Sequence, residues 1–378
     1  MSKIKLMHLA QSAGYGVTIY VESLIKGLRE TGKYEQYLFG SEYYNQPKYQ
    51  GMVDKLITIP MDRNITPRDI KTILKCNSVI RREKPDILYC HSAKAGIYGR
   101  LACLFTKTKV VYNPHGWSFN MKCSAKKQLF YKFIEALFAP FTNKIIAISD
   151  YEKQSTPSYI PANKIEVVKN GILTADCERI LADNDLTREK LNIPYDAFVV
   201  GIIARISEQK GQDLLVEAAK TIKKEIKNAH FLIVGGKSDD IDIESQIKEA
   251  GLEHCFTITG EVEKAVRYAA LFDVAVLPSR WEGFGLVLVE YMIARKPIVA
   301  FAVDAIPEVV RNEENGLLVE AGNIDALANA IIRLHGDKEL CEKLSERGFQ
   351  IAKSEFDLSR VVTEQDKLFC SLLNERNR

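Results

Sequence analysis

The sequence lacks any long apolar run. Of its 378 residues, 46% are hydrophobic, yet no stretch approaches the roughly 18 consecutive apolar positions that a membrane-spanning helix needs. The first residues, from Met1 to Leu6, lead directly into a strand-like segment and leave no room for the apolar part of a signal peptide. These absences predict a cytoplasmic protein that is soluble or peripherally attached to the inner face of a membrane.

The sequence also has little that would form disulfides or bind a metal. Its eight cysteines lie far apart without a Cys-x-x-Cys pair, which favours reduced, mostly buried thiols. Asp240-Ile241-Asp242 spells D-x-D, a pattern found in metal sites, but it stands in a polar loop where helix capping explains it better. We therefore expect no cofactor and no metal.

Charge is distributed unevenly along the chain. Residues 1–170 hold 26 Lys and Arg against 13 Asp and Glu, whereas residues 171–378 hold 26 against 36. A basic half in a nearly neutral protein suggests an anionic membrane surface, a phosphorylated acceptor or another polyanion as partner. Ordinary surface lysines are the alternative interpretation.

Short β-branched runs alternate with amphipathic segments, which predicts parallel sheets with helices on both faces. The length favours two such domains, with a turn at Asn170-Gly171 and a polar linker over Thr174–Pro194. Ligands of doubly wound sheets bind beyond the carboxyl ends of the strands, so two facing ends are expected to form a cleft. The predicted strands are Lys5–Leu9, Gln36–Phe39, Lys55–Ile59, Asp86–His91, Lys109–Asn113, Lys144–Ser149, Ile165–Val168, Phe198–Ile203, Phe231–Gly235, Phe256–Thr259, Val274–Leu277, Ile298–Phe301 and Gly316–Val319.

One motif, Ser279 to Glu290, follows a predicted strand and opens a helix. Glu282 and Glu290 stand eight positions apart with a Gly-x-Gly between them, so both carboxylates can face the same side of the sheet end. The first helical turn has no internal acceptors, which leaves the main-chain N–H groups of Phe284, Gly285 and Leu286 free for ligand oxygens. A helix start packed on a neighbouring strand is the structural alternative.

A second motif runs from Gly201 to Gly211. Its strand delivers Arg205 and, after a short loop, Lys210 beside a helix start. Two cations at such a place can bind a diphosphate without a metal, because they neutralise the charge that develops on a departing nucleotide. A surface ion pair is the alternative.

These two motifs together resemble the retaining glycosyltransferases of the two-Rossmann architecture called GT-B, specifically family GT4. The resemblance implies that Glu282 binds donor-sugar hydroxyls with the N–H groups named above, and that Glu290 binds the ribose. Arg205 and Lys210 would bind the diphosphate, and the main chain around Val262 the base.

The resemblance extends over the whole chain. Gly14 and Gly16 match the family's N-terminal glycine loop on the donor side, and His115-Gly116 matches a central histidine beside the transferring sugar. It implies an acceptor domain of residues 1–172, completed by a last helix over 359–378, and a donor domain of residues 173–358. Ile19 breaks a full G-x-G-x-x-G pattern, which argues against a dehydrogenase.

The segment from Cys90 to Arg100 resembles the HSxKAG signature of GT4 enzymes that build bacterial capsule, O-antigen and related surface polysaccharides. It places His91, Ser92, Lys94 and Arg100 after a strand, on the acceptor side, where they could engage phosphate or hydroxyls. Helix packing is the alternative for this segment.

Aromatic residues repeat at helical spacing between Lys122 and Lys144. The pattern favours core packing, and peripheral docking on anionic lipid is the alternative because of the nearby lysines. The apolar residues are Phe130, Phe133, Ile134, Leu137, Phe138 and Phe141, and the lysines are Lys122, Lys126, Lys127 and Lys132.

The expected reaction is transfer of a sugar from a UDP-sugar, or from dTDP-rhamnose, to a polyprenyl-diphosphate-linked or other glycan. No nucleic acid is expected as a partner. Two other functions stay open on the same fold: a sugar-nucleotide epimerase, and a catalytically silent subunit that binds sugar nucleotides.

Overall fold

The computed structural model describes residues 3–11, 15–61, 66–238 and 240–374. The chain divides into two compact units. Unit 1 holds residues 1–170 and 358–378, and unit 2 holds residues 171–357. Each unit is a parallel sheet with helices on its faces, so the fold is α/β.

Unit 1 is built on a seven-stranded sheet in which every pairing is parallel. Its order is β3-β2-β1-β4-β5-β6-β7, so the direction of winding reverses between β1 and β4. The strands are β1 (Ile4–Ala10), β2 (Tyr34–Gly40), β3 (Lys55–Thr58), β4 (Ile87–His91), β5 (Lys109–Asn113), β6 (Lys144–Ala147) and β7 (Ile165–Val167). The helices are α1 (Tyr15–Glu30), α2 (Pro47–Gln50), α3 (Asp69–Glu83), α4 (Ala93–Ala102), α5 (Ala125–Phe138) and α6 (Asp150–Gln154).

Unit 2 repeats this plan with six parallel strands in the order β10-β9-β8-β11-β12-β13. Its switch of winding falls between β8 and β11. The strands are β8 (Phe198–Ile203), β9 (Ala229–Val234), β10 (Phe256–Ile258), β11 (Val274–Leu277), β12 (Ile298–Phe301) and β13 (Leu317–Val319). The helices are α7 (Thr174–Ala182), α8 (Gln212–Glu225), α9 (Ile243–Glu249), α10 (Val266–Ala269), α11 (Leu286–Ile293), α12 (Ile306–Val309), α13 (Ile324–Gly336) and α14 (Lys338–Glu355).

The last helix, α15 (Leu358–Asn374), belongs to unit 1 and packs on α1. Gln365 donates to the hydroxyl of Tyr20 at 2.5 Å, and Asp366 accepts from Tyr34 at 2.6 Å and pairs with Lys33. Among the described residues, no helix is both long and apolar enough to cross a membrane.

All thirteen predicted strands are present, because buried parallel strands are short continuous apolar runs, rich in β-branched residues and bounded by polar turns. The polar segment 174–194 is not a free linker, which corrects that expectation. It belongs to unit 2, forms α7, and its Arg188 pairs with Asp273 at 2.9 Å. The capping interpretation of the D-x-D pattern is confirmed for Asp242, whose carboxylate accepts from the N–H of Ser245 at the start of α9.

Candidate functional site

The loop that follows β8 carries the two predicted cations. Arg205 is exposed and its side chain makes no hydrogen bond with a described residue. Lys210 closes a 3-10 turn, and Gly211 then adopts φ +70°. A Cβ at Gly211 would lie 2.0 Å from the carbonyl oxygen of Pro278. Only glycine lets this loop press against the chain leaving β11, which fixes the position of Lys210.

The loop that follows β11 brings Glu282 to the same edge. Its buried carboxylate accepts from Lys210 Nζ at 2.6 Å and from Gln209 Nε2 at 3.2 Å. The main-chain N–H of Glu282 donates to Asp304 Oδ2 at 2.8 Å. The structure therefore joins the proposed diphosphate cation and the proposed sugar-binding carboxylate in one ion pair.

Main-chain donors lie next to this pair at the start of α11. The N–H groups of Phe284, Gly285 and Leu286 donate to no described residue, and Gly285 adopts φ +84°. The Phe284 ring is buried against Phe356, with ring centroids 5.7 Å apart, so this residue can offer a ligand only its main chain. Such free N–H groups suit anionic or hydroxyl oxygens.

Glu290 is half-buried and lies one turn into α11, and its carboxylate makes no hydrogen bond with a described residue. Burial raises the pKa of its carboxyl to about 7, because desolvation disfavours the charged form. Val262 is half-buried and follows Gly260, whose φ is +72°. Gly260 bridges to Gly235, which places this turn at the carboxyl end of β9.

In unit 1 the carboxyl edge carries imidazole rings. His91 ends β4 and His115 stands two residues after β5, with His91 Nδ1 and His115 Nε2 3.1 Å apart. Buried Glu152 accepts from the N–H of Gly116 at 2.8 Å and so fixes the loop beside His115. Burial raises the pKa of Glu152 to about 7.

Two predicted residues of the N-terminal glycine loop have different outcomes. Gly16 is exposed near the start of α1, and a Cβ at this position would meet no atom within 4 Å. Gly14 lies outside the described residues.

The HSxKAG segment only partly reaches the carboxyl edge. The Ser92 Oγ has no partner among the described residues, and Ser92 adopts φ 84°. Lys94 pairs with Asp69 at 3.1 Å. The small residues serve packing, since a Cβ at Gly96 would lie 2.5 Å from the Tyr112 ring.

The acceptor-side role expected of Arg100 is wrong. Arg100 is fully buried, and its guanidinium donates to Glu135 at 2.9 Å and to the carbonyl of Gly96 at 2.9 Å. It also stacks over the Tyr112 ring at 4.3 Å. Helical spacing turns this side chain toward α5, so it stabilises the unit from inside.

The core interpretation of the aromatic repeat is also wrong for most of its residues. In the segment 125–141 only Phe138 among the repeat is buried, and five large apolar side chains are 42% to 69% exposed. These five, which we call the α5 apolar face, are Leu129, Phe130, Phe133 and Leu137 of α5 and Phe141 of the 3-10 turn that follows it.

Three residues of these edges were missed. Gln209 and Asp304 hold the Glu282 loop, and Glu152 holds the loop of His115. Glu152 could have been found, because it stands three residues after Ser149 as in a helix cap. Asp304 follows a different strand and has no signal in the local sequence.

Two doubly wound sheets in one chain, with oxygen-binding groups at their carboxyl edges, have the architecture of GT-B glycosyltransferases. Sucrose-phosphate synthase from Thermosynechococcus elongatus has this fold, with a TM-score of 0.82, 21% identity, and coverage of 99% of this chain and 100% of that one. HepE from Anabaena, solved with UDP and glucose, gives a TM-score of 0.82 at 20% identity, covering 97% and 100%.

Sequence comparison gives the family. Residues 15–176 match Glycosyltransferase Family 4, and residues 183–351 match Glycosyl transferases group 1. A UDP-Gal:α-D-GlcNAc-diphosphoundecaprenol α-1,3-galactosyltransferase of Escherichia coli is 29% identical over 77% of this chain and 79% of its own. The capsular polysaccharide biosynthesis glycosyltransferase CapM of Staphylococcus aureus is 28% identical, covering 84% and 85%. The chain belongs to the GT4-type glycosyltransferases of the GT-B fold, and the predicted family is confirmed.

Proposed function

We propose that the chain is a retaining glycosyltransferase of surface polysaccharide synthesis. Unit 2 binds a nucleotide-diphosphate sugar, with UDP as the default nucleotide and dTDP-rhamnose as the second candidate. Unit 1 binds a polyprenyl-diphosphate-linked glycan. The relatives support both halves, because the Escherichia coli enzyme is named for a UDP-sugar donor and a diphosphoundecaprenol acceptor.

One observation carries the donor half of the proposal: Lys210 pairs with Glu282 beside three main-chain N–H groups that donate to no described residue, and Arg205 lies on the same loop as Lys210. The exposed guanidinium of Arg205 and the ammonium of Lys210 would bind the diphosphate and neutralise the charge that grows as the glycosidic bond breaks. The N–H groups of residues 284–286 and the Glu282 carboxylate would bind sugar hydroxyls.

Retention is the stereochemical part of this proposal, and the hydrogen bonds of Glu282 support it. The Glu282 carboxylate is engaged by Lys210 and Gln209, so it is not free to serve as a nucleophile or base. The departing diphosphate would then accept the proton of the attacking hydroxyl on the same face of the sugar. NMR of the product from a donor of known anomeric configuration tests this step, and an inverted product would exclude it.

The decisive experiment screens donors and then acceptors. A thermal-shift panel of UDP-sugars and dTDP-rhamnose identifies the donor, because a ligand bound only by the folded state raises the melting temperature. The matched donor is then incubated with and without an undecaprenyl-diphosphate-linked glycan. Nucleotide release that depends on the acceptor supports a transferase, whereas turnover of donor alone to an epimer indicates an epimerase. Binding without either reaction indicates a silent subunit. Unchanged turnover after EDTA treatment is expected if no metal is needed.

We further propose that the α5 apolar face docks on the anionic inner surface of the membrane. Lys126 and Lys127 are exposed at the start of the same helix. The one acidic residue of α5, Glu135, is buried against Arg100. The exposed surface of α5 is thus apolar and cationic without a carboxylate, which suits the boundary between anionic headgroups and acyl chains.

Liposome co-sedimentation tests this docking. Binding should increase with anionic lipid and weaken with salt. Replacing Phe130 and Phe133 by serine should abolish it. The matched control replaces Ile70 and Leu74, two apolar residues of α3 that are each 65% exposed, and should sediment as the parent protein does. Equal sedimentation of both double variants would reject the α5 face as the docking surface.

A further inference from the structure

Three histidine rings form a continuous hydrogen-bonded chain inside unit 1. His8 Nδ1 lies 3.2 Å from His91 Nε2, and His91 Nδ1 lies 3.1 Å from His115 Nε2. His8 and His91 are fully buried, whereas His115 is half-buried. His8 lies near the end of β1, His91 ends β4 and His115 follows β5, so the chain lies at the carboxyl end of the sheet.

Gln36 on β2 ends this chain at the buried side and gives it a direction. Its amide nitrogen donates to the carbonyl of Ile25 at 2.8 Å, which turns Oε1 toward His8 Nε2 at 3.3 Å. A carboxamide oxygen only accepts hydrogen bonds. His8 must therefore carry its proton on Nε2.

The direction passes from ring to ring because a neutral imidazole has one donor and one acceptor. With its proton on Nε2, His8 accepts at Nδ1, so His91 must donate from Nε2. His91 then accepts at Nδ1, so His115 must donate from Nε2. Burial keeps the rings neutral: it lowers the pKa of His8 to about 4, that of His115 to about 3, and that of His91 well below its usual value.

The last acceptor in the series is Nδ1 of His115, which makes no hydrogen bond with a described residue. The ring is held by its neighbours: the Tyr20 ring packs edge-on at a centroid distance of 4.9 Å. The main-chain N–H of His115 donates to Asn113 Oδ1 at 2.9 Å. His115 thus presents a lone pair in a fixed orientation.

We propose that Gln36, His8 and His91 are positioning residues that fix the Nε2–H tautomer of His115, so that its Nδ1 accepts a hydrogen bond from a substrate hydroxyl. The tautomer order depends only on the contacts above, whereas the hydroxyl as ligand rests on the proposed function. A sugar hydroxyl can donate to this nitrogen, and a fully ionised phosphate cannot.

Nitrogen-15 NMR of the ligand-free full chain at neutral pH tests the tautomer order. The chain has only 6 histidines, so two-bond correlations can be assigned by single His→Gln variants. We expect Nε2–H on His8, His91 and His115. A proton on Nδ1 of His115 in the parent protein, or a charged ring, would overturn the relay whatever the enzyme's substrate is.

Gln36→Leu removes the anchor while conserving size. In this variant His8 Nε2 has lost its acceptor, so a proton there would be a buried, unpaired N–H. The reversed order, with the proton on Nδ1 of each ring, avoids this cost, and His115 should therefore gain an Nδ1–H signal. His230, in unit 2 and paired with Thr257 at 2.8 Å, is the internal reference and should not change. An unchanged His115 tautomer in a folded Gln36→Leu protein would contradict the anchoring role.

Kinetics separate positioning from a merely structural role. Gln36→Leu should lower kcat/KM about tenfold, the effect of losing one directed hydrogen bond. In a His115→Leu background the same substitution should have no further effect, because the acceptor it orients is gone. Additive losses would reject the coupling. If no donor is turned over at all, the proposed function fails while the NMR result still decides the relay.

Discussion

The two sheets share one topology but present opposite chemistry at their carboxyl edges. The basic half of the chain carries neutral imidazoles at this end of its sheet: His8, His91 and His115. The acidic half carries two cations, Arg205 and Lys210, in the loop that follows β8. The net charge of a domain therefore does not predict the charge of its site.

The difference follows from what each edge has to recognise in the proposed reaction. A departing diphosphate needs fixed positive charge. A hydroxyl needs an acceptor of defined direction, which a buried neutral ring provides without attracting phosphate. Part of the excess positive charge of the basic half lies away from this edge, on exposed lysines of α5.

The largest effect is expected when Arg205 or Lys210, the two cations at the carboxyl edge of the unit 2 sheet, is removed. Arg205→Ala and Lys210→Ala should each lower turnover on the order of 10²-fold, about 3 kcal/mol, because each removes charge that stabilises the leaving group. Lys220→Ala is the control, since Lys220 pairs with Glu217 on the exposed face of α8, and it should keep full turnover. Near-parent rates in both cation variants, with folding confirmed by circular dichroism, would remove the diphosphate site from this edge.

The main-chain conformation that positions Lys210 can be disrupted without removing either cation. Gly211→Ala should lower the free energy of unfolding by about 3 kcal/mol, because it combines left-handed strain with overlap on the Pro278 carbonyl. Gly322→Ala has the strain alone, with φ +78° and open space around it, and should lose about 1 kcal/mol. Urea titration measures both, and equal losses would show that the contact with Pro278 does not constrain the loop.

The stability of unit 1, whose sheet carries the neutral histidines, is expected to depend on pH. The folded pKa values of His8, His91 and His115 lie below the usual 6.5, so their stabilising contribution is present above about pH 6.5 and is lost as pH falls. Glu152, with its pKa raised to about 7, acts in the opposite sense. Three histidines against one glutamate give a net loss of about 2.5 kcal/mol per pH unit between pH 6 and 5.

Tryptophan fluorescence can follow this loss in unit 1 alone. The chain has two tryptophans, Trp117 in unit 1 and Trp281 in unit 2. A Trp281→Phe protein therefore reports unfolding of unit 1. Stability that rises from pH 6 to pH 5 would show that the imidazoles are not neutral in the folded protein.

The smallest effect is expected on donor affinity, when Glu282, the carboxylate paired with Lys210, is replaced. Glu282→Ala should weaken donor binding about tenfold by removing a carboxylate that accepts from sugar hydroxyls. Affinity for the free nucleoside diphosphate should not fall, because Lys210 loses its competing partner at 2.6 Å. Titration calorimetry with both ligands measures the contrast. Parallel weakening of the two would assign Glu282 to the nucleotide.

The sequence predicted the sheets and the cationic edge better than the rest. Arg205, Lys210 and Glu282 lie in loops that directly follow predicted strands, and the topology of a parallel sheet brings such loops together. The residues that these side chains contact could not be predicted from the sequence. Asp304 reaches Glu282 from beyond β12, a contact that local pattern cannot show.

The errors have a common physical origin. Helical spacing shows which side chains share a face but not what covers that face, so the exposed residues of α5 were assigned to the core and buried Arg100 to the surface. The imidazole chain was missed for a related reason. Its members stand 83 and 24 positions apart, and its anchor Gln36 lies on another strand.

The buried pair of Arg100 and Glu135 has a consequence for how this enzyme can diverge. It ties α5 to the sheet from within, at 2.9 Å and with Tyr112 donating to the same carboxylate at 3.0 Å. The five residues of the α5 apolar face take no part in these hydrogen bonds. Selection can therefore rewrite this surface, one residue at a time, without unfolding the domain, and descendants can acquire new lipid or protein partners while the chemistry in unit 2 stays the same.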